Sequence, residues 1–243
     1  MPDLVPDLDA LLHDLAIANR ILAREDVVDA FGHVSIRHPE RPDRYFLSRS
    51  RSPGLVTRDD LVEFTLEGEA VDADEQRSFY IERPIHGGVY EARPDVHAVI
   101  HNHAYAVIPF AVTPTPLRPI LHVAGGMGGS IPVWDIRAKF GDTNLLVTTM
   151  DQGRDLAATL DKASVALMRG HGCVVAADGL KQAVSTAIYL QVNASLLLDA
   201  LKLGDVTYLS PGEVEACAAM TALPVAVERT WEYWAARADL DGI

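Results

Sequence analysis

The residues best suited to chemistry are His101 and His103, separated only by Asn102, and His171, which stands between two glycines in Arg169-Gly170-His171-Gly172. The first two follow Val96, Ala98, Val99 and Ile100, an apolar run that reads as a strand. Side chains two apart in a strand share a face, so both imidazoles reach the same point, as metal ligands must. A third imidazole from His171 would complete a three-histidine site with an open position, the arrangement of a catalytic rather than a structural metal. On spacing alone this site and three unrelated histidines both stand, because the H-x-H pattern is common.

Periodicity shows which elements must position these residues. Leu8 to Arg24 reads as a helix with Leu8, Leu11, Leu12, Leu15, Ala16 and Leu22 on one face. Phe31 to Arg37 alternates as a strand, Tyr45-Phe46-Leu47 forms another, and Ser48 to Gly54 is a loop by composition. Thr57 suits the N-cap of a single turn through Asp60, and Glu67-Gly68 suits a hairpin turn. Pro84 fits the first turn of a helix reaching about Ala92. Further helices are expected over 105–112, 151–160 and 180–203, the last closed by Gly204, and most of the chain from Pro211 is helical in pattern. Strands are expected at 131–133, 165–168 and 173–176, with a flexible glycine-rich loop over 125–129. The alternation implies one α/β domain over 1–243, a central sheet covered by helices, with a core over about 8–205 and a helical extension over about 206–243.

Of the 243 residues, 49% are hydrophobic and 23% charged, which suits a substantial core. The net charge of −13 disfavours a nucleic-acid partner, since neutralising phosphates needs clustered Lys and Arg. A few local arginines can still select an anionic substrate. Two cysteines, Cys173 and Cys217, are too few for a disulfide framework, so a reducing, cytoplasmic compartment is expected. Met1-Pro2-Asp3 opens without a leader signature, and no run of eighteen apolar residues implies a membrane span. His86 reads as a buried structural histidine, and His13 and His38 as surface residues.

The block Glu82-Arg83-Pro84-Ile85-His86, the Arg93-Pro94-Asp95-Val96 lead into His101-Asn102-His103, and Arg169-Gly170-His171-Gly172 together resemble the class II aldolase/adducin family. Gly32-His33-Val34-Ser35 is similar to the Gly-Asn-Val-Ser motif of that family. The resemblance spans roughly residues 8 to 205. It implies a three-layer α/β/α sandwich with a mainly antiparallel, mixed sheet, assembled as a homotetramer with active sites between subunits. It also implies one divalent ion per subunit on His101, His103 and His171, with Mn2+ or Zn2+ foremost and Fe2+ or Co2+ also suited. Glu82 would stand beside the ion as ligand or general acid/base, a role its place at a helix start also favours.

Departures from the family pattern narrow the substrate. Sugar-phosphate members of the family carry a serine pair before the glutamate; here Phe79-Tyr80-Ile81 occupies that place, and apolar bulk cannot donate hydrogen bonds to a phosphate dianion. The family's tyrosine proton donor is absent, with His122 at or next to its position. The loop after the second strand gains Ser48-Arg49-Ser50-Arg51-Ser52, whose guanidinium forks suit carboxylates. These features resemble the subgroup that decarboxylates hydroxylated aromatic dicarboxylates, such as dihydroxyphthalate decarboxylase and 3-hydroxy-2-methylpyridine-4,5-dicarboxylate decarboxylase. The resemblance thus implies a lyase of aromatic catabolism acting on a small aromatic carboxylate. Proton transfer falls to Glu82 or His122, and carboxylate binding to Arg49, Arg51, Ser48 and His33. The rival readings are an aldolase of a non-phosphorylated hydroxy-acid or sugar acid, a non-catalytic adducin-like module, and iron-dependent oxygenase chemistry on the same three histidines.

Overall fold

The computed structural model describes residues 7–243; the Met1-Pro2-Asp3 reading lies outside them. In chain order the elements are α1 (Leu8–Arg24), β1 (His33–Arg37), β2 (Arg44–Ser48), β3 (Leu61–Thr65), α2 (Arg83–Ala92), β4 (Ala98–Asn102), α3 (Ile108–Val112), β5 (Val133–Trp134), α4 (Arg137–Phe140), α5 (Met150–Leu160), β6 (Val165–Met168), β7 (Gly172–Ala177), α6 (Leu180–Leu203), α7 (Pro211–Thr221) and α8 (Pro224–Ala235). The strands form one seven-stranded sheet in the order β3-β2-β1-β4-β7-β6-β5. Every pairing is antiparallel except β5 with β6. This is the expected mixed sheet in a three-layer sandwich.

Strand alternation divides the core in two. Val34, Ile36, Ala98, Ile100 and Val175 face a layer built from α1, α6 and α8. Val99, Ala166, Val174 and Ala176 face the other layer, built from α2 and α5. With both faces covered, β4 is buried along its whole length, so its residues read as an unbroken apolar run rather than as an alternation. Helix α6 has the length and apolarity of a membrane span by composition alone. Its Ala183, Val184, Ala187, Leu190, Ala194 and Leu197 are buried in the first core layer, which accounts for that apolarity. Trp231 and Trp234, near the end of α8, close the same layer, with Trp234 tilted against Tyr189.

The α2–α5 contact matters for the site because α2 begins immediately after Glu82. Gly153 of α5 lies against the start of α2, where an added Cβ would overlap the carbonyl oxygen of Pro84. Gly153→Ala should therefore force the helices apart. The expected cost is about 2–3 kcal/mol, read as a thermal midpoint lowered by roughly 5–10 °C. An unchanged midpoint would show that the close approach is dispensable.

Two expectations are corrected. His38 is buried rather than on the surface: its Nδ1 accepts the backbone N–H groups of Glu40 and Arg41, at 3.1 and 3.2 Å, closing the turn between β1 and β2. The glycine-rich stretch is not a loose loop at its start. His122–Met127 forms a 3-10 segment with Ala124, Gly125 and Met127 buried.

Candidate metal centre and cavity

Four side chains meet at the end of β4. His101 is the fourth residue of that strand, and His103 lies one residue beyond its last. The intervening Asn102 turns the chain there, its Oδ1 accepting the N–H of Ala104 at 3.0 Å. His171 comes from the β6–β7 hairpin, in a four-residue turn closed by the His171 N–H on the Met168 carbonyl at 3.0 Å. Gly170 holds φ +66° in that turn, a conformation that favours glycine. Glu82 arrives from the N-cap position of α2. One ligand atom from each of Glu82, His101, His103 and His171 lies within 4.8 Å of all the others.

The Nε2 atom of His103 stands 3.1 Å from the Nε2 atoms of both His101 and His171. Glu82 Oε2 is 3.5 Å from His101 Nε2 and 3.7 Å from His171 Nε2. The tautomers follow from the other ring nitrogens. His101 Nδ1 donates to the carbonyl of Cys173 at 3.1 Å, and His171 Nδ1 donates to the carbonyl of Leu145 at 3.0 Å. Both Nε2 atoms therefore turn lone pairs inward, the outer hydrogen-bonding pattern of metal-bound imidazoles. A proton on His103 Nε2 could serve only one of those lone pairs, whereas a cation serves all three rings. The donor set fits a divalent ion on this ground.

Burial, helped by the neighbouring His101, lowers His103 and His171 to about 4, so both rings are neutral at pH 7. Burial alone would raise the Glu82 carboxyl. The neighbouring His101 and His171 and the Val147 N–H outweigh it and hold Glu82 at about 2. The centre thus offers the neutral imidazoles of His103 and His171 and the Glu82 carboxylate, beside the inward-facing Nε2 of His101.

A cavity of about 330 Å³ opens beside the cluster, lined among others by Phe31, His33, Arg51, Phe79, Tyr80, Glu82 and His103. A second cavity, of about 440 Å³, also borders His103 and carries Asp26 and Asp29. Those carboxylates would repel an anionic ligand, so the first cavity is the one suited to a diacid.

Of the residues expected to bind substrate, His33 and Arg51 line this cavity; Ser48 and Arg49 do not. Ser48 is fully buried, with its hydroxyl 3.4 Å from that of Tyr80. Arg49 and Arg51 both pair with Asp60, at 2.6 and 2.7 Å. Asp60 also accepts the N–H and hydroxyl of Thr57, at 2.8 and 2.9 Å. The capping box legible as Thr57-x-x-Asp60 therefore doubles as the anchor of the arginine loop, which Thr57 alone did not reveal. His122 begins its 3-10 segment and lines a different cavity, with Tyr189 and Arg229, so one subunit does not bring it to the cluster.

Sequence reasoning also missed the segment that orients two of the four ligands. Leu145 accepts from His171 Nδ1 through its carbonyl and has φ +68°, a conformation costing a branched residue on the order of 1 kcal/mol. Two residues on, the Val147 N–H donates to Glu82 Oε1 at 2.9 Å. Nothing in the residue types of this stretch signals either role.

His33 sits directly opposite His101 in the β1–β4 ladder. Its Nδ1 lies 2.6 Å from Nε2 of His86, which is fully buried as expected. Burial first, then the field of His101, depresses His86 to about 3. Below an ordinary value near 6.5 the unfolded chain binds a proton that the folded one refuses. Stability should therefore fall as pH drops from 6.5 towards 3, by roughly 1.4 kcal/mol per pH unit for this single group. Urea midpoints at pH 6.5 and 5 should show wild type losing about 2 kcal/mol more than His86→Gln. Equal losses would mean that His86 takes up its proton without unfolding.

Residues 13–198 match the family model described as Class II Aldolase and Adducin N-terminal domain. The chain is 34% identical over 247 residues to "Decarboxylase tropJ" of Talaromyces stipitatus, covering 92% of each sequence. It is 29% identical over 204 residues to a 3,4-dihydroxyphthalate decarboxylase of Arthrobacter keyseri, covering 78% of each. Among solved structures, an L-fuculose 1-phosphate aldolase from Glaciozyma antarctica superposes with a TM-score of 0.77 at 20% identity, over 97% of this chain and 92% of that one. That likeness concerns the fold.

Proposed function

The chain belongs to the class II aldolase and adducin family, and from that premise we propose that it is a metal-dependent lyase that decarboxylates a hydroxylated aromatic dicarboxylate. The observation that carries this reading is the cavity wall next to the imidazole cluster. It brings the aromatic side chains of Phe31, Phe79 and Tyr80 and the side chain of Arg51 to one cavity. A planar apolar ring bearing carboxylates meets both kinds of partner, and a phosphorylated sugar meets neither well. Relatives named as a decarboxylase and a 3,4-dihydroxyphthalate decarboxylase support the same choice.

His101, His103 and His171 would hold the divalent ion, Mn2+ or Zn2+ foremost, with Fe2+ and Co2+ compatible with the same donors. When bound, the ion would supply Lewis acidity, stabilising the negative charge that develops on the ring as CO2 is lost. Glu82, ionised at neutral pH, accepts the proton of the ring hydroxyl and returns one to the ring carbon that has lost CO2. Arg51 keeps donors beyond the one committed to Asp60 and grips the carboxylate that stays. His33 donates a further hydrogen bond from the cavity wall. The homotetramer expected of the family, with active sites between subunits, is the arrangement that would let His122 of a neighbouring chain reach a site. The two free cysteines suit a cytoplasmic setting.

The test is a panel of aromatic ortho-hydroxy diacids incubated with the metal-loaded protein, scored for CO2. Release from one or more of them, abolished by a chelator, is the expected result. Cleavage of hydroxy-acids to aldehydes with no CO2 from any aromatic diacid would favour the aldolase reading instead.

A further inference from the structure

A chain of buried hydrogen bonds runs away from the cavity behind His33. His33 Nδ1 is 2.6 Å from His86 Nε2. His86 Nδ1 is 2.6 Å from Ser35 Oγ, and Ser35 Oγ is 2.8 Å from the hydroxyl of Tyr90. None of the four side chains is more than 3% exposed. The geometry comes from two matched repeats. His33 and Ser35 are two apart on β1, about 6.6 Å at strand rise, and His86 and Tyr90 are four apart on α2, about 6 Å at helix rise. The two pairs therefore interleave along the strand–helix contact. Glu82, four residues before His86, continues the same helical face into the metal cluster.

The protons in this chain can be assigned by counting them. Two imidazoles buried side by side have no carboxylate partner of their own, so each carries one N–H. Four hydrogens, one each from Tyr90, Ser35, His86 and His33, must serve three internal links. If His33 Nδ1–H donated inward, then His86 would donate to Ser35, Ser35 to Tyr90, and the Tyr90 hydrogen would be left buried with no acceptor among the described residues. In the opposite direction every hydrogen is used. Tyr90 donates to Ser35, Ser35 to His86 Nδ1, and His86 Nε2–H to His33 Nδ1. The remaining hydrogen sits on His33 Nε2, which has no partner among the described residues, on a ring that lines the cavity with Glu82 and His103. Buried polar groups are satisfied almost without exception, and this selects the second direction.

We propose that Tyr90, Ser35 and His86 form a positioning relay that locks His33 in the Nε2–H tautomer, presenting a fixed hydrogen-bond donor to an anionic oxygen of the ligand beside the metal cluster. The ligand half rests on the reading of the cavity as the substrate site; the tautomer half does not. A locked donor favours a carboxylate or phenolate oxygen over a hydroxyl that must itself donate. The relay thus turns an imidazole, able to present either face of its chemistry, into a one-way reader of negative charge.

Nitrogen-15 spectra of histidine-labelled, zinc-loaded protein read the tautomer directly. The expected pattern for His33 is a protonated Nε2 and a bare Nδ1. A protonated Nδ1, or an even mixture in wild type, would overturn the proposal without any variant being made. Ser35→Ala should convert His33 to a mixture and weaken binding of phthalate, an unreactive diacid probe, about 10-fold by calorimetry, with Ser35→Thr restoring both. Mixed tautomers with unchanged phthalate affinity would overturn the ligand half. A fixed Nε2–H in wild type that binds no phthalate would uphold the relay and overturn the substrate reading instead.

Discussion

His103→Ala is expected to lower affinity for the divalent ion by roughly 10³-fold or more and to abolish turnover. His103 Nε2 is the atom common to both short nitrogen–nitrogen contacts, so its loss separates the remaining donors into a pair of imidazoles and a carboxylate. The side chain lies past the end of β4 and is only half-buried, so the metal-free fold should survive. Two measurements check this together. Metal titration should give no saturable site at micromolar ion. The upward shift of the thermal midpoint that ion produces in wild type should vanish, because stabilisation by a ligand scales with its affinity for the folded state. An unaltered shift would place the ion elsewhere.

Glu82→Gln is expected to separate metal binding from proton transfer. The amide has the shape of the carboxylate, and its oxygen can still accept the Val147 N–H, so no buried donor is orphaned. The three imidazoles are untouched, and the ion should be retained with at most about a tenfold loss of affinity. Turnover should fall by roughly 10²–10⁴-fold, the usual contribution of a positioned acid or base. Substrate KM should change little. The pH profile is informative as well. Because Glu82 sits at about 2, it stays ionised across the range in which the histidines hold a metal. Wild-type activity should therefore fall in acid through protonation of His103 and His171, which lies nearer pH 4, and not through Glu82. Full activity in the amide variant would remove Glu82 from the chemistry.

The parts of this site legible in the sequence are those in which residue type and local spacing carry the geometry. His101 and His103 are brought together by strand alternation and by one Asx turn at Asn102. His171 is delivered by a hairpin whose Gly170 marks it. Glu82 was visible as the residue before a helix start. The covering of both sheet faces shows in the unbroken apolar runs of β4 and β7. Less was visible wherever a role depends on backbone atoms or on pairing at long range. Leu145 and Val147 act through a carbonyl and an N–H, for which any side chain would serve. Arg49 and Arg51 look equivalent in the chain, yet only Arg51 lines the cavity, because the turn ending in Asp60 fixes where the loop runs. His86 read as structural because its partners, His33 and Ser35, lie about fifty residues away on another element. The i, i+4, i+8 series Glu82, His86, Tyr90 was in the sequence, but only the β1–α2 contact gives it meaning.

The most direct measurement is an anomalous-difference map from a crystal of the zinc-loaded protein, recorded above and below the zinc edge. The expected result is one strong peak per subunit, about 2.0–2.1 Å from the Nε2 atoms of His101, His103 and His171 together. A peak bound by other residues, or none at this cluster at saturating zinc, would contradict the assignment of the metal centre and the chemistry built on it.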